Sequence, residues 1–379
     1  MKSILLIGGT GVLSSAVAAE ALRCGIATTI MTRGSRQPPP GVESLVCDCR
    51  DLEKVEAVLK GRRFTAVIDF LSFVPEQLEA SFKAYSRHAE QYVFVSSYAV
   101  YDTKKAGENL DEMSPKCPAD WVYGANKWRC EERLREMSKC GDCRYTVVRP
   151  AITYGDTRIP YGVAPGYGWH WTIAARVLAG KPVVTWNSGG NFVNMMRVED
   201  FAVGVVGLVG NPKAMDEAYN ICGDEVPTYG DVLKALGAAL GRDAITVDVP
   251  PEIYARSLGP MADTFLGGRC LDARISNAKI KEAVPEFRQR IGLRDGVART
   301  VRAYVAQGYQ HGIDWRFDGM TDRVVSNAGA HAPFVDYLGN ASWSDRKRYF
   351  REKCRHHPFV RILSLLGSYM AKGGSSRAK

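Results

Sequence analysis

Residues 3–14 read Ser3-Ile-Leu-Leu-Ile7-Gly8-Gly-Thr10-Gly11-Val12-Leu13-Ser14. The apolar run, the glycines and the alanine-rich stretch that follows spell a buried strand, a turn and a helix. Gly8 suits the tight turn and Gly11 lets the backbone approach a pyrophosphate. The helix start at Thr10, Val12 and Leu13 offers N–H groups and the positive end of a dipole. Ser14 stands where a third glycine often sits, which predicts a slightly wider gap between helix and strand. A dinucleotide site fits this context; a glycine turn without a ligand is the plainer alternative.

The pattern repeats outward from this stretch. A helix is expected over 12–23, with strands over 27–32, 44–47, 66–70 and 92–96. A charged helix over 128–139 leads into a strand over 144–148. Short β-branched runs suit strands buried on both faces, and their alternation with helical stretches predicts an α/β fold, a Rossmann-like doubly wound parallel sheet. The expected units are a nucleotide-binding domain over 1–155, to which some later segments return, and a smaller, mostly helical C-terminal cap over 156–310. A connecting segment over 311–344 and a basic amphipathic tail over 345–379 complete the chain. The cap opens with an irregular loop carrying Tyr161, Tyr167, Trp169, His170 and Trp171, aromatics that either pack the cap or face a substrate.

At 46% hydrophobic and 24% charged, the composition is that of a water-soluble globular chain. Glycines break the opening apolar run where a secretory leader would continue, so the expected location is the cytoplasm. Ten cysteines are scattered without a paired framework, and the single Cys140-x-x-Cys143 lacks partners for a zinc site, so no metal is expected. The net charge of +9 is concentrated at one end: residues 345–379 hold ten Lys/Arg against Asp345 and Glu352, net +8, which leaves +1 for the rest. These cations alternate with Phe359, Val360, Ile362, Leu363, Leu365 and Leu366. Such a tail suits peripheral contact with an anionic inner membrane surface or docking on the body, with nucleic acid the least expected partner.

Strand two ends in Met31-Thr-Arg33-Gly-Ser-Arg36, with no carboxylate for the ribose hydroxyls of NAD. Arg33 and Arg36 can hold a 2′-phosphate, which favours NADP over NAD, or can stand solvated in a loop. Asp48, just after strand three, can accept from the adenine amino group. Further on, Val122-Tyr123-Gly-Ala-Asn-Lys127 opens a helix, so a phenol and an ammonium at i and i+4 project from one face. The ammonium favours phenolate, which makes Tyr123 a candidate acid/base, and Lys127 can also hold ribose hydroxyls. Upstream, the strand Val93-Phe-Val-Ser96-Ser97-Tyr98 ends in hydroxyls. Ser97 can share a hydrogen bond with the reacting oxygen, whereas Ser96 caps the strand. Arg149-Pro-Ala-Ile152-Thr-Tyr154-Gly155 follows the next strand, where a loop passes the nicotinamide.

Together the glycine loop, Ser97, Tyr123, Lys127, the Arg149-to-Gly155 run and Arg197-Val-Glu-Asp200 resemble the extended short-chain dehydrogenase/reductase superfamily. More narrowly, they resemble its NAD-dependent epimerase/dehydratase family of nucleotide-sugar enzymes, over residues 1–310. The resemblance implies a bound NAD(P) held by Gly8, Thr10, Gly11, Val12, Leu13, Arg33, Arg36, Asp48, Lys127 and Arg149. It also implies a Ser97-Tyr123-Lys127 triad that oxidises a sugar hydroxyl by hydride transfer. The implied substrate site draws on Ser97, Tyr98, Tyr154, Arg158, Arg197 and Arg269, with Arg269 meeting a nucleotide diphosphate and Tyr219-Asn220-Ile221 lying in the cap. The family often dimerises through a helix pair beside the active site, so a homodimer is expected.

Departures narrow the activity. Tyr98 and Ala99 follow Ser97 where 4,6-dehydratases carry Asp-Glu, and Tyr98 stands where epimerase-reductases carry a cysteine. An epimerase, or an NADPH-dependent reductase of a keto sugar or other carbonyl compound, remains. Ile152 replaces an asparagine, and Asp69-Phe-Leu-Ser-Phe73 replaces a small apolar strand end. With the Thr-Arg-Gly turn after strand two, the latter resembles an atypical branch that includes chloroplast RNA-binding proteins, the non-enzyme alternative. The retained Tyr123 and Lys127 favour an enzyme.

Overall fold

The computed structural model describes residues 1–34, 38–166, 169–332 and 341–355. In chain order the strands are β1 Ser3–Ile7, β2 Ala27–Thr32, β3 Glu43–Val46, β4 Phe64–Asp69, β5 Ala89–Val95, β6 Asn109–Leu110 and β7 Arg144–Pro150. They continue as β8 Ile152–Tyr154, β9 Val183–Thr185, β10 Met195–Arg197, β11 Glu217–Ile221, β12 Thr246–Asp248 and β13 Arg274–Ile275. Seven form one parallel sheet in the order β11-β7-β5-β4-β1-β2-β3. Within it Ile4 pairs with Thr28 on one side and Ala66 on the other. Strand β1 is interior, flanked by β4 and β2, and Ile4, Leu5 and Leu6 are fully buried; an interior parallel strand has no wet face, so its sequence shows no polar alternation.

Successive residues of each strand feed opposite faces. Ile4, Leu6, Ile68 and Val93 pack with Val17, Ala18 and Ala21 of helix Val12–Arg23 and Phe201 and Val205 of helix Val198–Leu208. Leu5, Val67 and Phe94 pack with Val55, Leu78, Phe82 and Leu134, from helices Leu52–Leu59, Pro75–Tyr85 and Val122–Met137. The chain runs from β1 one way through β2 to β3 and the other way through β4, so the topological switch lies between β1 and β4. In open α/β sheets a ligand crevice forms at that point.

One expectation is corrected by the sheet. Tyr219, Asn220 and Ile221 lie in β11, the seventh strand, where Tyr219 pairs with Val148 and Asn220 with Arg149. Buried Tyr219 and Ile221 join the cluster under helix Val198–Leu208, so this run belongs to the sheet and not to the cap.

The remaining segments build a second core. At its centre Trp186 is ringed by Tyr161, Tyr229, Tyr254 and Phe265 at centroid distances of 5.5, 5.1, 6.1 and 5.0 Å. Tyr161 also donates to the Val184 carbonyl at 2.7 Å. Tyr161 and Trp171 are therefore packing residues, while Trp169 is exposed and Tyr167 lies outside the described residues. Helices Trp315–Asn327 and Trp343–Lys353 pack on each other, and Tyr349 is the buried contact of the second. The start of the basic tail thus rests on the body; 356–379, with the alternating apolar set, lie outside the described residues. Among the described residues no helix is long and apolar enough to cross a membrane, and no group of three metal-ligating side chains occurs.

Candidate functional site

A groove of about 1080 Å³ opens over the switch point. Its lining runs from Gly8, Thr10, Gly11, Val12 and Leu13 past Ser97, Tyr98, Tyr123 and Lys127 to Arg158 and Arg269. At the first end Gly8 has φ +86°, a conformation open to glycine at little cost. Ser14 turns out to brace the loop: its hydroxyl accepts from the Gly11 N–H at 2.9 Å and donates to the Gly8 carbonyl at 2.8 Å. The close packing against β2 falls to Gly9, where a Cβ would come within 2.5 Å of Ile30. The first-turn amides of Val12 and Leu13 have no helical carbonyl to meet, and the space a Gly11 Cβ would enter is nearly open, its nearest atom being Ser14 Oγ at 3.4 Å. A cradle of free amides at a positive helix end fits a pyrophosphate.

Tyr123 and Lys127 share one face of helix Val122–Met137, and Gly124 between them lets that helix touch the turn after Ser97. A methyl at 124 would collide with the Ala99 carbonyl. Tyr123 is half-buried and Lys127 is only 2% exposed. Lys127 Nζ donates to the Ser72 carbonyl at 2.7 Å and the Val95 carbonyl at 2.8 Å, with the rings of Phe73 and Phe94 each 4.7 Å away. Burial pushes this ammonium down to about 8, with Asp69 pulling the other way. Two of its three donors are spent on carbonyls, which leaves one for a ligand. Ser97 caps the short turn Tyr98–Val100, its Oγ accepting from the Ala99 N–H at 3.2 Å; the hydroxyl proton is still available for donation. Ser96 is occupied elsewhere, donating to Glu131 Oε1 at 2.7 Å.

At the far end Arg269 Nη1 donates to the Tyr98 hydroxyl at 3.2 Å, and the Tyr98 ring stands edge-on to Trp121 at 6.0 Å. Trp121 is held flat by the cap, since a Cβ at Gly267 or Gly268 would come within 2.5 Å of its side chain.

Several expected site residues lie away from this groove. Arg149, expected at the cofactor, is fully buried behind it, with Nε to Glu131 Oε1 at 2.9 Å, Nη2 to Glu131 Oε2 at 2.6 Å and Nη1 to the Tyr101 hydroxyl at 2.9 Å. Its donors are committed to the fold. Arg197, expected at the substrate, is buried and spent on Asp156 at 2.8 Å and Glu199 at 2.6 and 2.9 Å. Tyr154 is buried beneath it, the guanidinium carbon 5.8 Å from the ring centroid. Arg33 and Asp48 are exposed at the ends of β2 and β3, and Arg36 lies outside the described residues. His170 has Nδ1 3.1 Å from the Ile159 carbonyl, and burial pushes it down to about 3, so it is neutral and structural. Burial pushes Cys143 up to about 12, an inert thiol.

Sequence reasoning missed Glu131 and Tyr309, and it marked Asp69 only as a departure at a strand end, without its positioning role. The buried Asp69 carboxylate accepts from Leu71 N at 2.7 Å, Ser72 N at 3.1 Å, Ser72 Oγ at 2.5 Å and the Tyr92 hydroxyl at 2.6 Å. It fixes the turn whose Ser72 carbonyl holds Lys127, and that turn sets Leu71 and Phe73 in the groove wall. Glu131 is one helical turn beyond Lys127, an i+4 spacing that was visible in the sequence. Nothing in the sequence marked Tyr309.

The family model described as "NAD dependent epimerase/dehydratase family" matches residues 4–222, and the chain belongs to that family. It is 26% identical over 255 residues to the chloroplast stem-loop binding protein of 41 kDa b of Arabidopsis thaliana, covering 63% of this chain and 64% of that protein. It is also 26% identical over 198 residues to N-acetyl-alpha-D-glucosaminyl-diphospho-ditrans,octacis-undecaprenol 4-epimerase of Escherichia coli O157:H7, covering 52% and 53%. The chain thus spans less than two thirds of the length of either relative. Among solved structures, an epimerase of Methanothermobacter thermautotrophicus superposes with a TM-score of 0.67 at 16% identity, over 82% of this chain and 95% of that one. The UDP-glucose 4-epimerase of Thermotoga maritima, solved with UDP-glucose, gives 0.63 at 19% identity over 80% and 99%. That of Thermus thermophilus, solved with NAD, gives 0.62 at 22% identity over 80% and 99%. At these identities the likeness is one of fold.

Proposed function

We propose that this protein is an NAD(P)-dependent epimerase of a diphosphate-linked sugar. The observation that carries the reading is the convergence of Ser97, Tyr123 and Lys127 in one groove, between a glycine cradle and two arginines, Arg158 and Arg269. The cradle suits the pyrophosphate of a dinucleotide, and the arginines suit the diphosphate of a nucleotide sugar. Structural neighbours were solved with UDP-glucose and with NAD, and one relative is named for a diphospho-undecaprenol-linked sugar.

Held by its pyrophosphate at Gly8, Thr10, Gly11, Val12 and Leu13, a dinucleotide would supply a reversible two-electron hydride acceptor for the sugar carbon beside Ser97, Tyr123 and Lys127. Tyr123 takes the hydroxyl proton as that carbon becomes a ketone, and gives it back after the sugar has turned. Ser97 donates to the same oxygen. Lys127, charged below about 8, favours the phenolate of Tyr123 and offers its third N–H to ribose hydroxyls. The chemistry of Arg33, exposed at the end of β2 and outside the groove lining, suits a 2′-phosphate, and this favours NADP and, with it, the reductase of a keto sugar. The likeness to the chloroplast stem-loop binding protein supports a second reading, an RNA-binding module using the basic end of the chain.

The test is to denature purified protein, identify the released dinucleotide, and incubate fresh protein with UDP-, GDP- and dTDP-linked sugars. Retained cofactor and interconverted stereoisomers without net change in reduced nicotinamide are expected. Stoichiometric consumption of NADPH by a keto sugar would replace the epimerase with a reductase. No dinucleotide binding at all would remove the catalytic reading.

A further inference from the structure

Tyr309 lies beyond the segment matched by the family, on the turn Tyr309–His311 that follows helix Leu293–Ala306. It nonetheless lines the groove, together with Thr157 and Arg158. Its ring meets Tyr304 edge-on at 5.5 Å, and Tyr304 in turn donates its hydroxyl to the Thr157 carbonyl at 2.7 Å and packs on Trp171 at 6.0 Å. Tyr309 is half-buried, and among the described residues its hydroxyl has no protein partner. A half-buried ring with an unspent hydroxyl in a groove wall is a contact waiting for a polar, ring-shaped ligand.

The chain after Tyr309 is anchored with unusual firmness. The Asp314 N–H donates to Thr172 Oγ1 at 2.9 Å. Helix Trp315–Asn327 then delivers Asp318 and Asp322 to two cations, Arg176 and Lys181. Lys181 Nζ lies 2.9 Å from Asp318 and 2.8 Å from Asp322, and Arg176 lies 2.8 Å from Asp322 and also pairs with Asp318. All four side chains are 1% exposed or less. Lys353 Nζ approaches Asp322 as well, at 3.9 Å; buried ion pairs of this kind are a costly means of strength but a sharp means of fixing geometry. Arg176 and Thr172 belong to the helix that directly follows the Arg158 loop, so the lock ties the C-terminal helices to that wall of the groove.

We propose that Tyr309 contacts the glycosyl group of a diphosphate-linked sugar whose diphosphate lies between Arg158 and Arg269, and that the four-charge lock positions it there. This rests on the nucleotide-sugar reading above and adds to it a residue that discriminates among sugars. The ring suits the C–H face of a pyranose, and the hydroxyl suits one of its oxygens. A site that hydrogen-bonds a hydroxyl rejects sugars lacking it, because its own polar group is then left unpaired.

Calorimetric titration of the full chain, as wild type, Tyr309→Phe and Tyr309→Ala, tests this. The ligands are NAD, the nucleotides UDP, GDP and dTDP, and their hexose derivatives. Tyr309→Phe keeps the edge contact with Tyr304, so it removes only the hydroxyl. It is expected to weaken the preferred nucleotide sugar roughly 2- to 10-fold, with Tyr309→Ala weaker still, and to leave NAD and the parent nucleotide unchanged. Equal sugar-nucleotide affinity in all three proteins overturns the proposal while the functional reading stands. A matching loss for the parent nucleotide overturns it too, because the contact is then with the nucleotide. If wild-type protein binds NAD but none of the nucleotides or their sugars, the nucleotide-sugar reading falls and the proposal, which rests on it, falls with it.

Discussion

Arg149 and Glu131 form a two-pronged pair in the interior, 2.9 and 2.6 Å across its two arms, and the same carboxylate takes the Ser96 hydroxyl. Glu131 therefore couples the helix of Tyr123 and Lys127 to the end of the strand that carries Ser97. Removing one partner leaves a buried, uncompensated charge, which costs about 3–5 kcal/mol. Glu131→Ala is expected to lower stability by that order in urea unfolding, and Glu131→Leu with Arg149→Met to recover most of it. Single and double variants of equal stability would refute the coupling.

Tyr123→Phe keeps the ring and removes only the hydroxyl. Because Tyr123 stands apart from the glycine cradle, dinucleotide binding is expected to survive while turnover on the identified sugar falls about 10²- to 10⁴-fold, the range of a lost acid/base group. Single-turnover kinetics with matched cofactor occupancy would check this, and undiminished turnover would remove Tyr123 from the chemistry.

The helix Trp343–Lys353 is fastened by Tyr349, whose hydroxyl meets Asp322, so the start of the basic end, as far as the described residues reach, rests on the body. Deleting residues 356–379 removes Arg361, Lys372, Arg377 and Lys379 without touching that anchor. Retention on vesicles rich in anionic lipid at low salt is expected for the full chain and not for the deletion, at about 1 kcal/mol per cation near the surface. Salt-sensitive retention of RNA with no vesicle binding would instead favour the RNA-binding reading.

The parallel α/β sheet of the first half was legible in the sequence because its determinants are local. The strand-glycine-helix order in residues 3–14, and the i, i+4 spacing of Tyr123 and Lys127, are set by neighbours along the chain. What failed was long-range. Arg149 and Arg197 have the chemistry of ligand-binding groups, but Glu131, Asp156 and Glu199 reach them only through the fold and consume their donors. Asn220 and its neighbours gave no local sign that they close the sheet beside β7. Tyr309 meets the groove wall through Tyr304, and the chain after it is tied down by Asp314 and by buried charges far apart in sequence; periodicity carries no trace of such pairing.

Lys127 gives a pH signature of the site. Its ammonium is pushed from 10.5 down to about 8 by burial, so between these values the folded chain binds fewer protons than the unfolded one. Stability from this group therefore rises with pH across that window. The penalty for burying the charge is complete below about 8 and is relieved as the lysine neutralises. From pH 7 to 9.5 the relief amounts to roughly 2 kcal/mol. Other groups titrate there as well, so the useful quantity is the stability of wild type minus that of Lys127→Met, which should grow by that order over the interval. The sign for binding is opposite: the charged form offers the donor to a ribose hydroxyl, so dinucleotide affinity should fall in wild type as pH passes 8 and stay flat in Lys127→Met. A pH-independent stability difference would mean that Lys127 keeps an ordinary ammonium, and that the carbonyls of Ser72 and Val95 stabilise its charge fully.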